Sequence, residues 1–513
     1  MQYISTRGHN LAVNSAEAII KGLAEDGGLF VPETIPTINK DFLQSLLNLS
    51  YQERAKKIIS LYLSDFTSDE ISNCVDNAYS QGKFDTNKIV PLVEYTNNNY
   101  FLELWHGPTS AFKDMALQLL PQFISTSLKK VQDNHKLVIL VATSGDTGKA
   151  ALDGFKNVDQ TEIIVFYPQE GVSKIQRLQM LTQEGQNVSV VAVKGNFDDA
   201  QNGVKKIFND EIYNKQLAEK GFKLSSANSI NWGRLLPQIV YYFSAYADLV
   251  NARKITIGDK VNFTVPTGNF GDILAGFYAK CMGLPINHLI CASNANNVLT
   301  DFLKTGTYNR NREFFKTISP SMDILISSNL ERLLYHITND AKKVQTYMNE
   351  LQTTGKYTVD ETTLKTIQET FFAGYLNDED TKQAIHDIYQ HDKYVADTHT
   401  AVAWKVAQDY QKSYSENENI PMIILSTASP YKFSDSVLVA LGEDVTNLDE
   451  FALLDKLSEL NKDKVPKGLA QLHDLPILHD NNCAKEDMIL AVDEFLNIWW
   501  IVNPSATLLL KIN

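Results

Sequence analysis

A lysine at position 113 lies in the stretch HGPTSAFKDMALQ, residues 106–118, directly after the strand-like run YFLELW. Apolar residues recur at helical spacing from Phe112 to Ile124, so the pattern predicts a helix capped by Thr109 or Ser110. Lys113 then falls in the first turn, where the positive end of the helix dipole disfavours an ammonium group. Taken alone, Lys113 could be an exposed residue near a helix cap, or an amine that this position helps to keep neutral and therefore nucleophilic.

A glycine-rich turn follows a second predicted strand, in VPTGNFGDILAG, residues 265–276. Gly268 and Gly271 allow close approach of the backbone, and the free N–H groups at the start of the following helix form an anion site. Neither a lysine nor a Ser/Thr pair for magnesium follows, which favours a phosphate monoester over a nucleoside triphosphate. The alternative is a tight turn that binds nothing.

A hydroxyl-rich loop occupies ATSGDTGKAAL, residues 142–152, again between a strand and a helix. Gly145 and Gly148 enclose two residues where a P-loop has four, and Ala150 follows Lys149 where a P-loop has Ser or Thr, so the loop lacks the spacing of a P-loop. Thr143, Ser144 and Thr147 could hold a small carboxylate or phosphate. The alternative is an ordinary capped helix start.

Two further segments carry polar groups. SSANSINWGR, residues 225–234, contains Asn231 and Arg234, and arginine binds anions through two parallel hydrogen bonds. ILSTASPYKF places Ser426 and Thr427 at the end of a buried strand. The alternative for residues 225–234 is a capped helix start with Arg234 in solvent. The alternative for Ser426 and Thr427 is that their hydroxyls bond to backbone groups of the turn.

Three histidines, at positions 386, 391 and 399, lie among aspartates in HDIYQHDKYVADTHTAV. The first two are five residues apart and so do not stack on one helix face. We therefore expect no metal site here, and we expect Asp397 and Thr398 to cap the next helix.

These segments need a scaffold that brings them together. From about residue 96, short apolar strands such as KLVILVA, TEIIVFY, KVNFTVP and PMIILS alternate with helical sequence. This alternation is typical of βαβ units in an α/β fold with parallel sheets. Ligands bind beyond the carboxyl ends of such strands, which is where the candidate segments lie.

The chain has 513 residues, enough for two to four domains at roughly 150 residues each. We predict a mostly helical N-terminal domain (1–95), the first part of an α/β core (96–300) with a smaller α/β subdomain at about 135–225, and a helical insertion without strands (301–395). The end of the core (396–440) and a helical C-terminal region (441–513) complete the prediction.

Composition narrows the class of protein. The 47 basic and 61 acidic residues give a net charge of −14, which argues against nucleic acid or an acidic membrane as a partner. The four cysteines form no CxxC pair, so neither a disulfide scaffold nor a zinc site is expected. The N-terminus lacks the order of a signal peptide, and no apolar run approaches about 20 residues. We expect a cytoplasmic enzyme, monomeric or homodimeric, that acts on a small molecule.

Considered jointly, these segments resemble the fold type II (tryptophan synthase beta-like) pyridoxal-phosphate enzymes, and among them the threonine synthase family. The resemblance extends over nearly the whole chain and is closest to the longer bacterial and fungal branch. It is carried by YISTRG, GLAEDGGLFVPE, ELWHGPTSAFKDMALQ, ATSGDTGKAAL, FDDAQNGVKKIF, SANSINWGR, PTGNFGDILAGFYAKCMGLP, SPSMDILISSNLERLL, DTHTAV and LSTASPYKF.

The resemblance implies a role for each matching residue. Lys113 would be the lysine that binds pyridoxal 5′-phosphate covalently, Thr427 would face the pyridine nitrogen, and Asp146 would lie near the cofactor's 3′ oxygen. The cofactor phosphate would be held by Gly268, Asn269, Phe270, Gly271 and Asp272. The substrate would be bound by Thr143, Ser144, Thr147, Asn231 and Arg234. Ser429 and Thr398 depart from the histidine and proline of many relatives.

The implied reaction converts O-phospho-L-homoserine and water into L-threonine and phosphate, the last step of threonine biosynthesis, by a carbon–oxygen lyase. The alternatives are another enzyme of this fold, such as a serine/threonine dehydratase or a cysteine synthase, which needs no second phosphate site. A further alternative is a non-catalytic protein that binds a phosphate ligand.

Overall fold

The computed structural model describes residues 1–8, 11–96, 98–143, 145–169, 172–414, 419–462 and 464–498. The N-terminal segment is mostly helical, as the sequence predicts. Its elements are β1 (Tyr3–Ser5), α1 (Ser15–Lys21), β2 (Phe30–Pro32), α2 (Lys40–Gln44), α3 (Tyr51–Ile59) and α4 (Ser68–Ala78), with β1 and β2 antiparallel. Helices α1, α3 and α4 each begin with a capping box, in which a polar side chain and a glutamate satisfy the first backbone N–H groups.

The next four elements lead to the lysine: β3 (Leu92–Thr96), β4 (Asn99–Glu103), α5 (Lys113–Leu117) and α6 (Leu120–Lys130). The sequence predicts one amphipathic helix over this region, but the structure has two, with a break at Gln118 and Leu119. Pro121 lies at the start of α6, where its missing N–H costs nothing.

A smaller α/β unit follows, close to the predicted range of 135–225. Its elements are β5 (Lys136–Ala142), α7 (Asp146–Phe155), β6 (Thr161–Pro168), α8 (Lys174–Leu181), β7 (Val188–Lys194), α9 (Phe197–Asn209), α10 (Glu211–Glu219) and β8 (Phe222–Ser225). The strands are parallel, in the order β7-β6-β5-β8. The expected βαβ pattern is confirmed.

The main sheet is built from the middle of the chain. The elements are α11 (Trp232–Asn251), β9 (Val261–Pro266), α12 (Gly271–Met282), β10 (Ile286–Ser293), α13 (Val298–Thr305), β11 (Thr307–Asn309), α14 (Leu330–Thr338), α15 (Ala341–Thr353), β12 (Lys356–Thr358), α16 (Glu361–Gln368), β13 (Phe371–Tyr375), α17 (Asp378–Asp392), α18 (Thr398–Ser413) and β14 (Met422–Ser426). The strand order is β13-β10-β9-β14-β4-β3, parallel except for the β3–β4 pair.

The predicted insertion at 301–395 is not free of strands, so that part of the prediction is wrong. Strands β11 and β12 pair with each other, and β13 pairs in parallel with β10 at the edge of the main sheet. These strands are three to five residues long and lie within charged helical sequence, which hides the alternating pattern of a strand.

The C-terminal region contains α19 (Ser434–Ala440), α20 (Glu450–Asn461), α21 (Lys467–Ala470), β15 (Asn482–Ala484) and α22 (Met488–Leu496). It is not wholly helical as predicted, because β15 pairs in parallel with β7 and extends the smaller sheet. The helical tail predicted beyond residue 498 lies outside the described residues. No helix in the described part of the chain is both long enough and apolar enough to cross a bilayer.

Candidate active site

Lys113 is the first residue of α5 and follows the loop that leaves β4. Its side chain is 11% exposed, and its Nζ lies 3.8 Å from Asp146 Oδ2 at the start of α7. The same nitrogen donates a hydrogen bond of 3.3 Å to Ser321 Oγ. The lysine therefore lies between the main sheet and the smaller α/β unit, in contact with a residue that the sequence did not single out.

The predicted cap of this helix is wrong. The residue before α5 is Phe112, without a side-chain cap, and Ser110 has a left-handed φ of 59°. Thr109 instead donates from its N–H (2.8 Å) and its hydroxyl (2.6 Å) to the carboxyl of Asp114. This loop is also held by Phe112, whose N–H donates to the carbonyl of Thr427 at 2.8 Å. Lys113 is thus placed by a buried carboxyl and by the chain that follows β14.

Asp146 lies between two lysines. Lys432 Nζ is 2.6 Å from its Oδ1, and Gln176 Nε2 donates to the same oxygen at 2.7 Å. Lys432 is fully buried and also donates to the carbonyl of Thr109 at 2.9 Å. Burial alone would raise the pKa of Asp146, but Lys432 and Lys113 hold it well below its usual range. Asp146 therefore carries a charge in the centre of the site.

The electrostatic surroundings favour a neutral amine at Lys113. Burial lowers the pKa of Lys113 to about 8, Asp146 opposes this shift, and the charges of Arg234 and Lys432 add to it. The neutral form is the nucleophile, so this lysine is reactive at a pH where an exposed lysine is protonated. Lys113 is also the first residue of α5, where the positive end of the helix dipole disfavours the ammonium form.

The glycine turn links β9 to α12. Phe270 adopts a left-handed φ of 62°, and α12 starts at the next residue. Among the described residues, none accepts a hydrogen bond from the backbone N–H groups of residues 268–273. A Cβ on Gly268 would lie 2.6 Å from the carbonyl oxygen of Ser321, so only glycine fits there. The turn offers a row of free donors for an anion, which fits a phosphate group.

Asp272 contributes to this turn through its backbone. Its carboxyl accepts hydrogen bonds from Tyr241 and Tyr242, the latter at 3.1 Å, while Oδ2 has no partner among the described residues. Burial raises the pKa of Asp272 to about 7. Asn269 is exposed, and its carbonyl accepts from the N–H of Asn329 at 3.1 Å.

The hydroxyls of Ser426, the last residue of β14, and of Thr427 differ in their availability. Ser426 accepts hydrogen bonds from Trp105 and Thr400, each at 3.1 Å, and so has a structural role. No described residue hydrogen-bonds the hydroxyl of Thr427, which is 5% exposed. Ser429 is fully buried and its hydroxyl also has no described partner. Thr427 is therefore available to a ligand.

The hydroxyl-rich loop after β5 is only partly available. Thr143 accepts from the N–H groups of Gly145 and Gly148, each at 3.0 Å, so its hydroxyl already holds the loop together. Ser144 lies outside the described residues. Thr147 is half-buried and remains a predicted substrate ligand.

Asn231 and Arg234 lie near the start of α11 and differ in how far the surrounding protein satisfies their polar groups. Asn231 accepts from the N–H of Gly233 and donates to the carbonyl of Ile19, at 2.9 and 3.0 Å, so its amide caps the helix. The predicted role of Asn231 in substrate binding stays a prediction, and the structure adds a capping role. Arg234 is 6% exposed, donates to the carbonyl of Ala227 at 2.8 Å, and forms no ion pair within the described residues. Burial lowers its pKa to about 10.

The structure thus gathers Lys113, Asp146, the glycine turn, Thr427 and Arg234 at the carboxyl ends of the strands. Sequence reasoning missed Lys432 and Ser321, although both lie in the quoted motifs LSTASPYKF and SPSMDILISSNLERLL. No local pattern marks either residue, because each meets its partner across more than 200 positions of the chain.

Two parallel sheets with a buried lysine and a free glycine turn at their strand ends define the class of pyridoxal-phosphate-dependent enzymes of fold type II. The family model described as "Pyridoxal-phosphate dependent enzyme" matches residues 89–426. Those described as "Threonine synthase N terminus" and "Threonine synthase, C-terminal" match residues 2–79 and 400–477. The chain belongs to the threonine synthase family.

Individual relatives agree with this assignment. The chain is 38% identical over 439 residues to the threonine synthase of Pseudomonas aeruginosa, covering 85% of this chain and 90% of that protein. It matches the crystal structure of pyridoxal-phosphate-bound threonine synthase from Brucella melitensis with a TM-score of 0.86 and 36% identity, covering 98% of this chain and 99% of that one. Human threonine synthase-like 1 is 41% identical over 437 residues, covering 83% of this chain, but the chain spans only 58% of that protein's length.

Proposed function

We propose that this protein is a threonine synthase that converts O-phospho-L-homoserine and water into L-threonine and inorganic phosphate, with pyridoxal 5′-phosphate as its cofactor. The observation that carries the proposal is the buried guanidinium of Arg234, which forms no ion pair within the described residues and lowers the pKa of Lys113. A buried charge without a counter-charge is costly, so an anionic ligand is the natural partner.

The balance of charge supports two anions in one cleft. Lys432 and Arg234 are cationic groups, Lys113 becomes a third when its amine is protonated, and Asp146 is the carboxylate held in its charged form. The glycine turn at 268–273 supplies a separate row of N–H donors. One phosphate at the turn and one at Arg234 would satisfy both sites. A dehydratase or a cysteine synthase needs only the first.

The residues present fit the cofactor. The free N–H groups of residues 268–273 suit its phosphate, the free hydroxyl of Thr427 suits its pyridine nitrogen, and Asp146 lies beside the lysine that would bind it. Bound pyridoxal phosphate supplies an electron sink that stabilises negative charge on the substrate carbons next to the amino group. A hydroxyl opposite the ring nitrogen leaves that nitrogen neutral and the sink moderate, which favours elimination and replacement over transamination.

The protein's own groups then have distinct tasks. Lys113 would hold the cofactor until the substrate amine replaces it, and its freed amine would take protons from Cα and Cβ of the substrate and return protons to Cα and to Cγ, which ends as the methyl group of threonine. A pKa of about 8 allows this amine to accept and to donate protons near neutral pH. Arg234 binds the substrate phosphate, which leaves from Cγ before water adds at Cβ. Thr147, and Ser144 beyond the described residues, would hold the substrate carboxylate.

The family assignment also supports this function, since relatives named threonine synthase match most of the chain. We further propose a cytoplasmic location and a monomeric or homodimeric state. The net charge of −14 supports a small-molecule enzyme over a nucleic-acid-binding protein.

The deciding experiment uses purified protein whose visible absorbance spectrum is recorded first. We expect an absorbance band from the bound cofactor, fixation of that cofactor on Lys113 by borohydride, and release of phosphate from O-phospho-L-homoserine with formation of threonine. Ammonia released from serine or threonine, with no phosphate from phosphohomoserine, would assign the protein to the dehydratases. A protein without cofactor absorbance and without borohydride labelling would be a non-catalytic binder.

A further inference from the structure

Ser321 contacts both parts of the cofactor site. It lies in a short 3₁₀ turn, Pro320–Met322, and its hydroxyl accepts a hydrogen bond of 3.3 Å from Lys113 Nζ. A Cβ added to Gly268 would lie 2.6 Å from the carbonyl oxygen of Ser321, so the backbone of Ser321 packs closely against this glycine. Ser321 thus joins the nitrogen of the reactive lysine to the first glycine of the phosphate turn.

A buried histidine holds this serine in place. His399 Nε2 accepts the backbone N–H of Ser321 at 3.1 Å, and its Nδ1 lies 2.9 Å from Asp397 Oδ1. Because Nε2 faces a donor, the ring is neutral with its hydrogen on Nδ1, and that hydrogen is donated to Asp397. His399 is 2% exposed and Asp397 is fully buried, and Phe433 packs on the imidazole ring at 4.9 Å between centroids.

The histidine itself is fixed from the start of α18. Asp397 caps this helix, as the sequence predicts, by accepting the N–H groups of His399 (2.8 Å) and Thr400 (3.3 Å). On the opposite side of the turn, Asp323 accepts the N–H of Thr317 at 3.0 Å and an amide hydrogen of Asn294 at 2.7 Å. The turn that carries Ser321 is therefore anchored on both sides by buried polar contacts.

A neutral amine has two hydrogens and one lone pair. Ser321 Oγ accepts one hydrogen of Lys113, and Asp146 Oδ2, at 3.8 Å, attracts the other. The hydrogen bond to Ser321 and the nearby charge of Asp146 together orient the remaining lone pair, which is the part of the amine that bonds to carbon or takes up a proton. Preorganised positioning of this kind is a major source of enzymatic rate.

We propose that Ser321 is a catalytic residue of this site, which holds the Lys113 nitrogen in its reactive orientation, and that His399, oriented by Asp397, is the positioning residue that keeps Ser321 there. The inference rests on the proposed function for its catalytic consequence. The contact between Ser321 and the lysine nitrogen can be tested without substrate or cofactor.

The test compares Ser321→Ala, His399→Leu, the double variant and His399→Gln, whose amide oxygen can still accept the Ser321 N–H. Ser319→Ala is the matched control, because it removes a hydroxyl from the same segment that bonds to Asn294 and not to the lysine. Ser321→Ala removes only a half-buried hydroxyl and is expected to fold, so the test remains available if His399→Leu is unstable.

The first measurement is trace acetylation of Lys113 in cofactor-free protein as a function of pH, quantified by mass spectrometry. The Ser321 hydroxyl bonds the ammonium form more strongly than the amine, so its loss should lower the pKa of Lys113 by about 0.5 to 1 unit. His399→Leu should give the same shift. Ser319→Ala and His399→Gln should titrate like the wild type. A Ser321→Ala titration that coincides with that of Ser319→Ala would refute the contact.

The second measurement is turnover of phosphohomoserine. We expect Ser321→Ala and His399→Leu each to lower kcat about tenfold or more, with KM changed by less than about threefold. Because both act through one hydroxyl, the double variant should be no slower than the slower single variant. Independent, multiplying losses would reduce His399 to a structural role and overturn the proposal. If the wild-type enzyme releases no phosphate, the proposed function fails, and the titration still decides the role of Ser321.

Discussion

Lys432 Nζ lies 2.6 Å from Asp146 Oδ1, and the lysine side chain is fully buried. The pair connects the segment after β14 of the main sheet with the first residue of α7 in the smaller α/β unit. Since Asp146 also faces Lys113, this buried ion pair sets both the relative position of the two units and the charge beside the reactive amine.

Replacing Lys432 with methionine removes one partner of a buried ion pair and leaves Asp146 with Lys113 as its remaining cation. We expect a loss of about 3 to 5 kcal/mol in the free energy of unfolding, measured by chemical denaturation. The double variant Lys432→Met/Asp146→Leu should recover most of this loss, because both partners of the pair are removed and Lys113, which then lacks Asp146, can release its proton. A single variant within about 1 kcal/mol of the wild type would contradict the assigned pairing.

Lys113 should reduce the stability of the cofactor-free protein. Burial lowers its pKa to about 8 in the folded protein, against the ordinary lysine value of 10.5, so between these values the unfolded chain holds more protons and stability rises with pH. We expect Lys113→Met to abolish turnover yet raise the free energy of unfolding at pH 7 by about 1 to 3 kcal/mol. This gain should shrink as the pH rises from 8 to 10.5. Equal stability of the two proteins at pH 7 would show that the amine is well solvated.

Two glycines of the turn at 268–273 differ in the space around them, so alanine substitutions there should have different effects on stability. Gly268→Ala places a Cβ 2.6 Å from the carbonyl of Ser321, so it should lower both the melting temperature of the cofactor-free protein and its affinity for pyridoxal phosphate. Gly271→Ala meets no atom closer than 3.5 Å and should leave the melting temperature unchanged. Calorimetry and cofactor titration measure the two effects. If both variants melt like the wild type, the close contact with Ser321 is absent.

Arg234 is expected to bind the substrate phosphate. Arg234→Met should raise KM for phosphohomoserine by a factor of about 10 or more and weaken inhibition by inorganic phosphate, because a charged bidentate contact is lost. The same change removes an uncompensated buried charge and so should not destabilise the substrate-free protein. Arg234→Lys keeps the charge and should have an intermediate KM. An unchanged KM in both variants would assign the substrate phosphate to another group.

The sequence predicted the residues whose role depends on local structure. Lys113, the glycine turn and Thr427 each follow a strand, and the ends of parallel strands meet in any α/β fold, so their convergence could be anticipated. The alternation of strands and helices likewise predicted both parallel sheets. The strands of three to five residues at 307–309, 356–358 and 371–375 were missed because they are too short to show a period.

Residues whose role depends on tertiary contacts could not be predicted. His399 was considered only as a metal ligand, although its partner is the backbone of Ser321, 78 positions away. The sequence predicts that Asn231 binds substrate, and in the structure its amide caps a helix; a helix cap and a ligand-binding amide look the same in a sequence. The capping role becomes visible only in the structure, where the Asn231 amide donates a hydrogen bond to the carbonyl of Ile19, 212 positions away in the chain.

The pairing of β15 with β7 has a consequence for the synthesis of this protein. Residues 136–225 supply four strands of the smaller sheet, but β7 keeps an open edge until residues 482–484 are made. An open edge is a template for pairing with other chains. During translation the nascent chain must therefore carry this unprotected edge while about 260 further residues are added, at roughly 5 to 20 residues per second. The β7 edge is therefore open to pairing with other chains for an interval of some tens of seconds.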